Sequence, residues 1–352
     1  MTIATALAEY DALGEPRCGT DDDAATATWL RNAARAAGAE AWFEEWELDR
    51  ILPGQAELAL AEGVIPGLPL FDAPPGNVTG TLGPIGSTAE IGWLRVDPGG
   101  ASLPGQEIAR LRAETTHKAL VLATGSGSLA PLNAPRFPDS FGPPVLQVAG
   151  EAAAHLAKGG HATLHSRYDW QAATSTNVQA TVPGAPEWLV LTPRTSWFTC
   201  TAERGGGIAI WLDLLRRGAA GHFLASGGHE LGHLGLKHAL RHGMLKAPIV
   251  LHLGANLGCA GSATLHVRSH DPVLARRLGA LLVAVGYPEQ SLNIAPPGPV
   301  NGEAHELAAA GIPFASLIGS NPLFHSREDR LANTDATRAG LIAEACAGLM
   351  AG

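Results

Sequence analysis

The chain has 352 residues, 46% of them hydrophobic and only 5% aromatic, with 43 Gly and 25 Pro. That is enough apolar material for one large domain or two ordinary ones, packed mainly by Ala, Leu and Val, and it argues against disorder. Asp and Glu outnumber Lys and Arg by 33 to 24, a net charge of -9 with no basic cluster, which argues against nucleic acid or an anionic membrane as the main partner.

The opening MTIATALAEYDALGEPR lacks a basic stretch followed by an apolar one, and every later apolar run is cut short of the ~18 residues that span a bilayer. The expectation is a soluble, cytoplasmic protein. Cys18, Cys200, Cys259 and Cys346 lie far apart without a CxxC pair, which suits reduced, buried thiols, with Cys200 the one to watch as a nucleophile. Ala25, Trp29, Leu30, Ala33 and Ala36 recur at helical spacing, so a helix is predicted over Asp21 to Ala37 with Thr20 or Asp21 as its N-cap. The alternating AWFEEWELD that follows predicts a strand.

From about Leu52 to Ser166 the character changes to short runs (ELALAE, GNVTGTLG, KALVLAT, PPVLQVAG, HATLHSR) parted by Pro and Gly, the pattern of a β-rich insert with few helices. His155, His161 and His165 lie there without a ligand-like context and read as surface residues. After Asn177 the runs WLVLTP, HFLAS, PIVLHL, TLHVR and FASLI alternate with helix-like segments near Gly207–Arg217, Leu234–His242, Pro272–Gly286 and Thr337–Met350. Such alternation predicts an α/β domain with a mainly parallel, mixed sheet flanked by helices, its binding groups gathered at the carboxyl ends of the strands.

The most pointed local feature is GGHELGHLGLKH, Gly227 to His238. Read literally, His229 and His233 one helical turn apart, with Glu230 between them, form the H-E-x-x-H zinc signature. Four glycines crowd the segment, however, and each inside a helix costs about 1 kcal/mol relative to alanine. The better reading is a strand-to-helix turn: HFLAS as strand, the glycines as turn, LGLKHALRH as helix, and Gly243 as its stop.

In that arrangement the chain resembles the zinc aminopeptidases related to bacterial leucyl aminopeptidases, glutamate carboxypeptidase and glutaminyl cyclase. The family's G-E-E-x-G-L-x-G turn, a general base followed by a metal ligand, falls on Gly228-His229-Glu230-Leu231-Gly232-His233-Leu234-Gly235. The RCGTDDDAATATWLRNAARAAGAE helix, an insert like the protease-associated domain, TNVQATVPG and AAAGIPFASLIGSNPLFHSREDRLANTD follow the family's order. The resemblance implies a catalytic domain of residues 1–50 and 171–352 in a three-layer sandwich, interrupted by the insert at 51–170.

Departures from the family pattern are as informative. The family's first metal-binding histidine falls on Arg194, its bridging aspartate on Glu203 and its later aspartate on Gly254. What the resemblance keeps is Glu203, Glu230 and His325, the ligands of one divalent ion, most simply zinc, with a fourth position open for water. It implies a metal-dependent hydrolase of an amide or other C–N bond in a small molecule or short peptide. His229 stands in the base's place as proton acceptor, with Arg194 as electrophilic helper in place of the second metal. The bland alternative for Arg194 is a salt bridge with a nearby glutamate. His233, His252 and His305 should approach the site as substrate-binding groups or alternative ligands. Conventional aminopeptidase activity and a metal-free binding protein are the competing functions; the sequence is silent on oligomeric state.

Overall fold

Apolar runs broken by Gly and Pro become short strands, and the longer amphipathic segments become helices laid over them. The computed structural model describes residues 1–98, 103–184, 188–243, 248–295, 298 and 300–352. Among them are the strands β1 (Glu40–Leu60), β2 (Gly63–Pro69), β3 (Gly76–Pro84), β4 (Ile91–Val96), β5 (Ala119–Thr124), β6 (Val145–Ala149), β7 (Gly160–Val182), β8 (Trp188–Pro193), β9 (Gly221–Ser226), β10 (Ile249–Leu253), β11 (Leu265–Ser269), β12 (Leu292–Ile294) and β13 (Phe314–Gly319). They form one sheet in the order β1-β2-β6-β5-β4-β3-β7-β9-β8-β10-β13-β11-β12, with β1 also paired to β7.

β9, β8, β10 and β13 run parallel, while β7 and β11 flank them antiparallel. β8 is buried along its whole length, as a strand covered on both faces must be. One face packs on the helices Asp21–Ala36, Gly206–Arg216, Pro272–Ala284 and Ala336–Ala351 through a core that includes Leu30, Trp211, Phe223, Leu278 and Ile342. The Asp21–Ala36 helix starts as its sequence demands: the Thr20 hydroxyl caps Asp23 N, and Asp21, Asp22 and Asp23 sit at the positive end of the helix dipole. The other face carries the Leu234–Arg241 and Glu303–Ala309 helices over Leu191, Leu224, Val250 and Phe314.

The insert has its own core of Leu58, Ile91, Val121, Leu146 and Leu164. The expected boundaries at 50/51 and 170/171 fall inside a continuous antiparallel ribbon, where Arg50 faces Gln171 and Ile51 faces Trp170. β1 therefore runs past the predicted AWFEEWELD into the insert, with the irregularity at Pro53 and Ala56 absorbed by the pairing with β7. His161 is exposed and His165 half-buried on that ribbon, and His155 is exposed on the short helix before it. Among the described residues no helix is long and apolar enough to cross a membrane.

Candidate active site

The carboxyl ends of β8, β9, β10 and β13 deliver Arg194, the 227–230 turn, Gly254 and the 320–326 loop to one edge of the sheet. The turn after β9 is made of left-handed residues, Gly228 (φ 69), Gly232 (φ 76) and His233 (φ 63), so the Leu234–Arg241 helix begins only after His233. His229 and His233 are thus not a helical pair, and the H-E-x-x-H reading fails on backbone geometry. Their rings nevertheless lie 5.1 Å apart. Cys200 (φ 48) opens a π-helical turn, Thr201–Gly205, and His325 (φ 59) is left-handed too. Positive φ at side-chain-bearing residues is costly, and both it and π-turns concentrate at functional sites.

Glu203 and Arg204, both on the π-turn, are buried. Glu203 Oε1 lies 2.6 Å from Arg204 Nη2 and 3.4 Å from His325 Nε2, while Glu203 Oε2 accepts from His325 N at 3.2 Å. Burial pushes the Glu203 pKa up, but Arg204 and then His325 outweigh it and hold the carboxyl at about 2. Arg204 Nε donates to Thr195 O at 2.9 Å and Nη2 is held in the ion pair with Glu203 Oε1, which leaves Nη1 and His325 Nε2 buried without a hydrogen bond. His325 Nδ1 lies 2.6 Å from Pro131 O, which requires a donor there and leaves Nε2 as the ring's acceptor.

A second group adjoins the first. His229 Nδ1 is 2.8 Å from Glu303 Oε1, His252 Nε2 is 3.4 Å from Glu303 Oε2, and His252 Nδ1 meets Ser316 Oγ at 2.8 Å. Burial, and next the Arg204 charge, lower the His229 pKa to about 4 against the pull of Glu303. His233 contacts Glu306 at 3.1 Å. His305 is exposed and joins neither group.

Two expected members are engaged elsewhere. Arg194 is buried in an ion pair with Asp23 Oδ1 at 2.7 Å and donates to Asp23 O at 2.8 Å and to Thr176 O, so its guanidinium faces the start of the Asp21–Ala36 helix. It is a structural ion-pair partner, because protein acceptors take up both its Nη groups. Glu230 accepts from Thr195 Oγ1 at 2.6 Å and Cys18 N at 2.8 Å, and burial raises its pKa against these bonds. The set Glu203, Glu230 and His325 therefore does not fit a divalent ion: Glu230 is satisfied by Thr195 and Cys18, and a permanent cation lies against Glu203. Cys200 is no nucleophile, since burial raises its thiol far above the usual range. Nor does its cluster with Glu203 and Asp329 suit an ion: Asp329 is spent accepting from Glu203 N at 3.0 Å and from Asn321 and Asn333.

Arg204 and Glu303 had no role in the sequence reading. Arg204 was legible only as a charge within a glycine-rich turn, and Glu303 only as an acid shortly before the AGIP stretch. The cluster is roofed by the insert, where Ala134 N donates to Glu230 O at 2.8 Å and Asn133 accepts from Trp197. Beside it a cleft of about 550 Å³ runs between Ser126 and Ser128 of the insert and Phe324 and Ser326, the neighbours of His325.

These charges predict an acid-labile fold. His229 sits below its ordinary 6.5 and Glu203 below its ordinary 4.5, so the unfolded chain binds both protons more readily. Stability should fall from about pH 6.5 to 4 through His229 and from about 4.5 to 2 through Glu203, by roughly 3 kcal/mol each. Asp329, raised by burial from 3.8 to about 6, acts oppositely and gains stability as pH falls through that window. Urea midpoints of ion-free protein should accordingly drop most steeply below pH 4.5. His229→Gln should remove the loss above pH 4; an unchanged slope there would show that His229 is already protonated in the fold.

No family model and no curated protein matches the chain. Solved structures do. The zinc aminopeptidase BSAP from Bacillus subtilis aligns with a TM-score of 0.76 at 18% identity, over 99% of this chain and 93% of that one. The aminopeptidase from Aneurinibacillus sp. strain AM-1 gives 0.66 at 16%, over 98% and 92%. Glutaminyl cyclase of Porphyromonas gingivalis gives 0.56 at 12%, over 99% and 96%. At these identities what is shared is the fold, and along nearly its whole length the chain has the fold of the zinc aminopeptidases and glutaminyl cyclases.

Proposed function

We propose that the chain is a hydrolase of an amide or other C–N bond in a small substrate, working at the buried cluster around Arg204. The observation that carries this reading is the convergence, at the carboxyl edge of the parallel strands, of an acceptor nitrogen and a guanidinium with unspent donors beside a cleft. Binding sites of open α/β sheets lie at that edge. The zinc named for the aminopeptidase neighbours supports a metal-dependent enzyme, but the Glu203, Glu230, His325 set does not accommodate the ion, and no step is drawn through it.

The chain's own groups suffice for the proton transfers. With its Nδ1 proton given to Pro131 O, His325 presents Nε2 to take a proton from an attacking water. The role expected of His229 passes to His325 because Phe324 and Ser326 line the cleft. Glu203, ionised and 3.4 Å from that nitrogen, stabilises the imidazolium that forms. Arg204 Nη1, the guanidinium nitrogen not engaged by Glu203 or Thr195, holds the carbonyl oxygen as it becomes negative, and the imidazolium then protonates the departing amine.

The test is amine release from a panel of N-acyl amides and short peptides. His325→Ala should lower the rate ~10²–10⁴-fold on any substrate found, as expected for loss of a positioned base. Unchanged turnover in that variant would remove His325 from the reaction.

A further inference from the structure

We propose that His229, His252 and Glu303 form a divalent-metal site of their own, with His233 in reach as a further ligand. The site lies beside the Glu203–Arg204 pair and shares no ligand with the set that the sequence pattern pointed to.

Three observations support it. First, the donors are of the right kind and already close. His252 Nε2 and Glu303 Oε2 are 3.4 Å apart, His229 Nδ1 and Glu303 Oε1 2.8 Å, and ligand atoms of His229, His233 and Glu303 all lie within 4.8 Å of one another. Metal–ligand bonds of about 2.0–2.1 Å at tetrahedral angles place neighbouring donors roughly 3.3 Å apart. Second, His252 Nε2 and Glu303 Oε2 are both buried with no hydrogen bond, an unmet polar demand that a cation between them would satisfy. Third, Glu303 is a buried carboxylate with no Lys or Arg paired to it among the described residues, only imidazoles. Gly302 packs beside both rings: a Cβ there would be in ordinary contact, 3.5 Å from His252 Cε1 and 3.9 Å from His229 Cε1.

Two imidazoles and a carboxylate select a borderline ion such as Zn²⁺, Co²⁺ or Ni²⁺ over Mg²⁺ or Ca²⁺, which prefer oxygen. By contrast, Glu203 and His325 contribute one imidazole and face a guanidinium. The site stands whether or not the chain cleaves amides, so binding rather than turnover tests it.

Chelator-treated full-length protein is titrated with Zn²⁺ by calorimetry and, as the Zn²⁺ complex, examined by X-ray absorption, which counts imidazole ligands without any substitution. One ion per chain with two or three imidazoles is expected. Glu303→Gln and His252→Gln should each weaken binding ~100-fold or more, while His325→Gln stays within about threefold, with circular dichroism confirming that each variant is folded. No bound ion, a single imidazole, or loss of the ion in His325→Gln but not in Glu303→Gln would overturn the assignment.

Discussion

Replacing Arg204 by methionine should lower turnover by ~10²–10³-fold on any amide the chain cleaves, the size of effect seen when an oxyanion donor is lost. Methionine keeps the length and apolar stem of arginine and removes every N–H. Because Glu203 would be left as a buried carboxylate without its cation, the same change should also destabilise the fold by ~3–5 kcal/mol. The two effects separate in Arg204→Lys, which retains the charge beside Glu203 but lacks the planar pair of donors. That variant should recover most of the stability and still turn over at least ~10-fold more slowly than the parent. Parental turnover in Arg204→Lys would make the residue a counter-ion for Glu203 and nothing more.

Arg194→Ala should do the reverse, lowering stability by ~3–5 kcal/mol while leaving turnover per folded molecule at the parental level. Its guanidinium joins the Asp23 carboxylate, Asp23 O and Thr176 O in a buried knot that ties the Asp21–Ala36 helix to the sheet. Removing one partner strands the other as a buried charge. Asp23 also accepts from Gly19 N and Ser175 Oγ, so the double variant with Asp23→Ala should cost less than the sum of the singles. Chemical denaturation of the two single variants and the double completes the cycle. Strict additivity would mean that the pair contributes nothing beyond its separate contacts.

The pair also shows where sequence reading stops. Strand β8 matches WLVLTP, and the helix after the glycine turn starts at Leu234 as expected, because such segments are delimited by local chemistry: apolar runs, caps and glycines. Residues 194, 203 and 325 are brought together with 230 only by the resemblance to the zinc aminopeptidases. Which way a long side chain turns from there is a tertiary choice. Arg194 turns to Asp23, 171 positions earlier, and Glu230 accepts from Cys18 N, 212 positions earlier. Both partners lie in the RCGTDDDAATATWLRNAARAAGAE segment, but nothing in it points to residues 194 or 230. Arg204, one residue from an expected ligand, curls back onto it, and adjacency in sequence did not reveal this. Nor did the long run of β1 past Pro53 follow from its own residues; the pairing with β7 carries the strand through a site that Pro and Gly would otherwise end.

The most direct test of the chain as a hydrolase is to incubate it with the amide panel in ¹⁸O-labelled water and follow the acyl product by mass spectrometry. Release of amine with one ¹⁸O entering the new carboxylate is the predicted result, abolished in step with amine release by Arg204→Met. Amine release without label would mean that a group of the substrate, and not water, attacks the carbonyl; no release from any amide would contradict the assignment of this cluster as an active site.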